Sequence, residues 1–338
     1  MKVSVIGSGS WGTTLAILLY DNGHSVKLWF RRKEHLDEVK AIGENHIYLP
    51  DVKIPDEIFL TSDLEEALGD AEVIVLAVPT QHLRSVISRD EFKSVKDKIF
   101  VNVAKGIENK TLMRVSEILK DLLGVYENYC VLSGPSHAEE VSRKIPTAVV
   151  VASSNKDVAG LVQSIFMNGY FRVYTSDDVV GVELGGALKN IIAIATGIAD
   201  GIGFGDNTRA AIMTRGIAEI VRLGVAMGAR IETFAGLSGI GDLIVTCTSK
   251  YSRNRFVGEQ IGKGKKLEEI LENMVMVAEG VWTTISAVEL AKKFGVEMPI
   301  TNAVYDVLFN GKNPMQATSE LMGRTPKPEV WGLNFTIR

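Results

Sequence analysis

The first half of the chain alternates short apolar runs with segments that carry helix-start signals. KVSVIG (2–7), SVKLWF (25–30), EVIVLAV (72–78), KIFVNVA (98–104), YCVLSG (129–134) and TAVVVAS (147–153) read as strands. Their near-continuous Val/Ile content is typical of strands covered on both faces. Between them, Trp11 to Tyr20 and a charged stretch from Lys33 read as helices. Pro79-Thr80, and Thr111 ahead of LMRVSEIL, mark further helix starts. Such alternation implies right-handed crossovers and a mainly parallel sheet. From about residue 177 the strand runs stop, and helical patterns follow at 178–200, 206–229, 280–294 and 301–310. The expected architecture is an α/β Rossmann-like N-terminal domain, residues 1–176, and an all-α C-terminal domain, residues 177–338, packed together through a continuous helix.

Length and composition agree with this picture. A chain of 338 residues suggests two domains and can bury a large core. With 37 Lys+Arg against 41 Asp+Glu, the chain lacks the global positive field that attracts nucleic acid or anionic membrane. Two cysteines, Cys130 and Cys247, exclude a disulfide framework or four-cysteine zinc site and fit a reducing, cytoplasmic compartment. The five histidines show no metal-ligand spacing, so no metal site is expected. The opening MKVSVIGSGSWG meets glycine after six residues, and no signal peptide is expected. The most apolar stretch, LGGALKNIIAIATGIA (184–199), falls short of the ~20 residues of a membrane span and contains Lys189; it reads as a buried helix.

Gly7-Ser8-Gly9-Ser10-Trp11-Gly12 fits G-x-G-x-x-G between the first strand and the first helix. In that context Gly7 makes the tight turn, Gly9 lets backbone approach a pyrophosphate, and Gly12 permits close helix–strand packing. The helix N-terminus then offers free N–H groups and partial positive charge to the phosphates. Where an NAD-selective site has an acid after the second strand, this chain has Arg31 and Arg32. Two arginines there suit a 2′-phosphate, or are surface charges preceding a helix. The pattern therefore points to NADP(H), with NAD(H) still open.

Candidate chemistry lies further on. Lys189 and Asn190 interrupt an otherwise apolar helix; a lysine there is a general acid/base or one half of a structural salt bridge. Asp242, in the glycine-rich LSGIGDLIVTCTS (237–249), is the natural partner for it, or else a cap or turn residue. Tyr251-Ser252-Arg253-Asn254-Arg255 has the donor types that hold a phosphate, and Ser252 alone would also serve as an N-cap. In SGPSHAEE (133–140), Ser136 and Glu139 have capping-box spacing. Lys105 in NVAKGIE (102–108) follows a strand's C-terminal end, where open α/β sheets bind ligands.

Together these residues resemble one family closely, the bacterial NAD(P)-dependent glycerol-3-phosphate dehydrogenases. The similarity runs essentially end to end, through GSGSWGTTLA (7–16), NVAKGIE, LSGPSHAEEV (132–141), GALKNIIAIATGIADGIGFGDN (186–207), LSGIGDLIVTCTS, YSRNR and VAEGVWT (277–283). The resemblance implies reversible hydride transfer between NAD(P)H and dihydroxyacetone phosphate, giving sn-glycerol 3-phosphate for glycerophospholipid synthesis. It implies that Lys189 is the general acid/base, with Lys105, Asp242 and Thr246 around it. Ser252, Arg253 and Asn254 would hold the substrate's phosphate and glycerol end, with Gly134 and Ser136 in the same pocket. Ser10, Trp11, Arg31, Arg32, Lys105, Ala138, Arg253, Val277 and Glu279 would contact the dinucleotide. Two departures stand out: His137 where the family commonly has an aromatic after GPS, and Phe256 where it usually has a second arginine after SRNR. An all-helical second domain is also compatible with a homodimer.

Overall fold

The computed structural model describes residues 1–329; residues 330–338, the end of the expected second domain, lie outside the described residues. The N-terminal part alternates β1 (Lys2–Ile6), α1 (Ser10–Asp21), β2 (Ser25–Trp29), α2 (Lys33–Ile42), β3 (Phe59–Thr61), α3 (Leu64–Leu68), β4 (Val73–Leu76), α4 (Thr80–Ile87), β5 (Ile99–Asn102), α5 (Val115–Leu123), β6 (Tyr129–Ser133), α6 (Ala138–Val141), β7 (Thr147–Ala152), α7 (Lys156–Phe166) and β8 (Phe171–Ser176). The strands form one eight-stranded sheet in the order β3-β2-β1-β4-β5-β6-β7-β8. All pairs are parallel except β6 with β7. The chain winds outward from β1 to β3, then returns to β4 on the other side of β1. The reversal opens a crevice at the C-terminal ends of β1 and β4, the place where doubly wound sheets bind ligands.

Two strands escaped the sequence reading for one reason. β3 and β8 are the edges of the sheet and lack a continuous apolar run: β8 alternates, with Phe171 and Val173 buried while Arg172 and Tyr174 face out. Thr111 does not start a helix. Its hydroxyl binds the Glu108 carboxylate, Lys110 and Leu112 both take positive φ, and α5 begins only at Val115. There the Glu117 carboxylate accepts from the Arg114 N–H at 2.8 Å. The expected Ser136–Glu139 capping box is absent too: His137 precedes α6, and the Ser136 hydroxyl donates to the Gly134 carbonyl at 2.9 Å.

Beyond Ser176 the elements among the described residues are helical: α8 (Val179–Ile202), α9 (Asp206–Ala226), α10 (Asp242–Thr248), α11 (Arg253–Gly262), α12 (Leu267–Glu272), α13 (Glu279–Phe294), α14 (Pro299–Phe309) and α15 (Pro314–Met322), with short 3₁₀ and π turns at 231–241. α8 is the axis of this layer, with nineteen of its 24 residues buried. It is long and apolar enough to cross a membrane by composition, yet 89% of its apolar window is covered by the rest of the fold. A buried carboxylate ties α8 to the sheet: Glu183 accepts from Arg114 Nη1 at 2.6 Å, Ser116 N at 2.9 Å and the Tyr129 hydroxyl at 2.6 Å.

α8 and α11 touch backbone to backbone. A Cβ on Gly197 would lie 2.0 Å from the Arg255 carbonyl oxygen, and one on Gly258 would lie 2.1 Å from that of Ile194. Backbone on both sides cannot retreat as a flexible side chain would, so only hydrogen fits. Replacing Gly197 with Val is expected to reduce unfolding free energy by about 3 kcal/mol, the upper part of the overpacking range. Denaturant titration checks this; a loss below about 1 kcal/mol would contradict the packing argument.

Candidate active site

One continuous cavity of about 430 Å³ runs from the glycine loop at the end of β1 to the start of α11. At one end stand Gly7, Gly9, Ser10, Trp11 and Gly12. Gly7 has φ +115°, and a Cβ there would meet the Ala77 carbonyl at 2.7 Å. A Cβ on Gly12 would sit 1.8 Å from the Gly7 carbonyl oxygen. Gly9 faces open space instead, and as the N-cap of α1 it supplies no side chain to its first-turn N–H groups. Uncapped amides at a helix start beside a cavity suit a pyrophosphate, so the residues present fit a dinucleotide. Arg31 and Arg32, both exposed, line the cavity just past β2.

The opposite end is built around one carboxylate. Asp242 opens α10 at 1% exposure. Its Oδ2 meets Lys105 Nζ at 2.7 Å and its Oδ1 meets Lys189 Nζ at 2.9 Å. Lys189 also donates to Thr246 Oγ1 at 2.5 Å, whose hydroxyl donates to the Asp242 carbonyl at 2.6 Å. Lys105 donates to the Gly134 carbonyl at 2.9 Å. Burial pushes the Lys189 ammonium down to about 8; Asp242 opposes the shift and Lys105 adds to it. Burial drives the Asp242 carboxyl upward, but the two ammonium groups outweigh it and hold it below its ordinary range. The lysine of the apolar helix is therefore salt-bridged, and burial keeps its ammonium below the ordinary lysine range.

Around this centre the polar groups interlock. Asn190 donates to the Lys105 carbonyl at 3.1 Å and accepts from Asn254 Nδ2 at 2.9 Å. Asn254 Oδ1 in turn accepts from Gly280 N at 2.9 Å. Glu279 clasps the two layers, accepting from Thr80 N at 2.7 Å and Lys105 N at 3.1 Å. Arg253 stands exposed, with Nη1 on the Val277 carbonyl at 3.2 Å. Ser252 is the N-cap of α11, accepting from Arg255 N at 3.2 Å, and it lines the cavity as well. His137 lies beside Tyr251, ring centroids 6.1 Å apart. Burial, with Lys189 and Lys105 adding to it, pushes its imidazole down to about 4, so this wall is neutral at physiological pH. The Cys247 thiol is pushed up to about 12 by burial, which removes it as a nucleophile.

Ala138, Ser136, Thr246, Val277 and Glu279 line the same cavity, as do the lysines, Asp242 and the Ser252–Asn254 run. Gly134 does not: its carbonyl accepts from Lys105 and Ser136, both of which line the cavity, with φ +141° and Val149 packed where a Cβ would stand. Asn190 and Tyr251, which the sequence offers only beside Lys189 and Ser252 and with no role of their own, also line the cavity. Asn190 adjoins Lys189, and the signal was a second polar residue on an apolar helix.

Two family models match: the N-terminus of NAD-dependent glycerol-3-phosphate dehydrogenase over residues 2–159 and its C-terminus over residues 178–319. A Geobacillus kaustophilus protein named glycerol-3-phosphate dehydrogenase [NAD(P)+] is 54% identical over 98% of this chain and 97% of its own length. A Thermoanaerobacter protein of the same name is 55% identical over 98% of this chain and all of its own. The crystal structure of glycerol-3-phosphate dehydrogenase from Coxiella burnetii superposes with a TM-score of 0.90 at 38% identity, covering 96% of this chain and 99% of that one. The sheet order, the glycine loop, the paired lysines on Asp242 and these matches lead to one conclusion: the chain belongs to the NAD-dependent glycerol-3-phosphate dehydrogenase family.

Proposed function

We propose that this chain interconverts dihydroxyacetone phosphate and sn-glycerol 3-phosphate with NAD(P)(H), in the cytoplasm, supplying glycerophospholipid synthesis. The observation that carries the reading is the Lys105–Asp242–Lys189 centre at one end of a cavity whose other end is an uncapped glycine loop. In this reading residues 1–176 hold the dinucleotide and residues 177–338 bring the proton donor and the phosphate grip. The nicotinamide, when bound, supplies the hydride for reduction and takes it back in oxidation.

The chain's own groups do the rest. Lys189 in its ammonium form places a proton where the ketone oxygen gains negative charge, and that proton leaves Nζ as the carbon–oxygen π pair becomes an alcohol O–H. Asp242 and Thr246 fix the direction of Nζ. Lys105 adds a second cation, so two ammonium groups share one carboxylate and the centre keeps a net positive charge for the developing oxyanion. Arg253, with Ser252 and Asn254, would grip the substrate's dianionic phosphate. That remote grip converts binding energy into orientation of the carbonyl. Arg31 and Arg32 would take the 2′-phosphate of NADP(H).

The direct test follows NADH and NADPH absorbance with dihydroxyacetone phosphate as acceptor. Turnover supports the reading; cofactor binding without turnover would remove the substrate assignment. Lys189→Met is expected to lower kcat by roughly 10²–10⁴-fold, the range of a lost acid/base, with NADPH affinity changed less than threefold. Near-normal turnover would discard the role of Lys189.

The acid must be protonated for reduction and deprotonated for oxidation. kcat/KM for ketone reduction is therefore expected to fall as pH rises through about 8, and that for alcohol oxidation to rise over the same interval. Paired pH profiles check the sign. Arg31→Ser with Arg32→Ser is expected to raise KM for NADPH by about tenfold or more, the equivalent of one charge-assisted contact. KM for NADH should change by less than threefold; an equal rise for both cofactors would break the assignment to the 2′-phosphate.

A further inference from the structure

After α2 the chain turns at Gly43, φ +75°, and drives Asn45 into the protein until no surface remains exposed. A buried amide at that depth must be satisfied. Asn45 is satisfied by three different pieces of the N-terminal domain. Its Nδ2 donates to the Ser8 carbonyl at 2.8 Å and to Thr13 Oγ1 at 2.8 Å. Its Oδ1 accepts from His35 Nε2 at 3.0 Å. Ser8 belongs to the glycine loop, Thr13 to α1, and His35 to the helix that starts directly after Arg31-Arg32. His35 is itself packed against Phe30 and Tyr48, ring centroids 5.3 and 5.2 Å away.

The geometry of the peptide bond gives this arrangement a consequence. The Ser8–Gly9 unit is planar and trans, so its carbonyl and its N–H point in opposite directions. Asn45 draws the Ser8 carbonyl into the protein, and the Gly9 N–H is thereby turned the other way. Gly9 lines the cavity, has nothing within 4 Å of where a Cβ would stand, and among the described residues its N–H finds no protein acceptor.

We propose that Asn45 is a positioning residue for the dinucleotide: it orients the phosphate-binding peptide at Gly9 and, through His35, sets the distance from that peptide to Arg31 and Arg32. The inference rests on the dinucleotide reading of the cavity.

The test compares two probes by titration calorimetry on the whole chain. NADPH needs the Gly9 peptide; 2′-AMP carries the adenosine and 2′-phosphate but no pyrophosphate. Asn45→Asp keeps the shape, loses both donors and sets a carboxylate oxygen against the Ser8 carbonyl. NADPH affinity is expected to drop about 20-fold or more while 2′-AMP affinity stays within twofold. KM for NADPH should rise while kcat at saturation stays within threefold. His35→Phe, read the same way, covers the case in which the Asp variant does not fold. It keeps an aromatic ring between Phe30 and Tyr48 but releases the Asn45 carbonyl. A 3–10-fold selective loss for NADPH is expected, restored by His35→Gln. Equal losses for both probes, or an unchanged NADPH affinity, would overturn the inference. A parent chain that bound neither probe would overturn the dinucleotide reading and this inference with it.

Discussion

The rest of the structure depends on a single constraint: one buried carboxylate must satisfy two ammonium groups. Asp242 and Lys189 are both almost fully covered, and neither charge would survive burial alone. A buried ion pair carries a desolvation cost that its attraction offsets only when geometry and further hydrogen bonds are good. Here they are good, since Thr246 and the Gly134 carbonyl take up remaining donors. The balance is nevertheless incomplete, because burial still drags Lys189 down to about 8. That incompleteness suits the proton-donor role proposed for Lys189 near neutral pH. A fully compensated lysine would hold its proton too tightly.

Holding that centre requires three elements from two layers of the fold to meet within hydrogen-bond distance. Lys105 follows β5, Lys189 is at the middle of α8, and Asp242 begins α10. Each is fixed by contacts that tolerate little slack. The backbone-to-backbone seam of α8 and α11 sets Asn190 against Asn254. Glu183 moors the first half of α8 to the sheet domain at Arg114, Ser116 and Tyr129. Glu279 holds the N–H groups of Thr80 and Lys105 from the start of α13. The two layers are joined by carboxylates, one buried and one partly buried, accepting from specific donors, and such bonds define position more sharply than apolar contact does.

Much of this was legible in the residues, and the failures have a physical pattern. Central strands are covered on both faces and announce themselves as Val/Ile runs; the edge strands β3 and β8 are not, and were missed. The glycine loop was legible because each glycine answers a separate steric demand, two of them visible as backbone collisions. Lys189 was legible because charge on an apolar helix has few explanations. Thr111 and Ser136 misled because a hydroxyl at a cap position is a local signal, and in both cases a nearby acceptor took it. Gly134 illustrates a different limit. A family likeness marks a position without saying how it is used, and here Gly134 lies off the cavity wall, with its carbonyl accepting from Lys105 and Ser136.

Asn45 shows why some functional residues leave no sequence signal at all. It carries no charge, sits in a loop, and matches no spacing rule; its effect lies in three hydrogen bonds to residues 10, 32 and 37 positions away. A glycine loop is permissive by nature, since glycine accepts many backbone angles. Freedom that lets backbone approach a phosphate also lets the peptide turn its carbonyl toward it, which would repel an anion. A donor fixed behind the loop removes that alternative. The two ends of the cavity thus solve the same problem in opposite ways. At the Lys189 end charges are buried and held by other charges, while at the Gly9 end a neutral buried amide decides which way a backbone dipole faces.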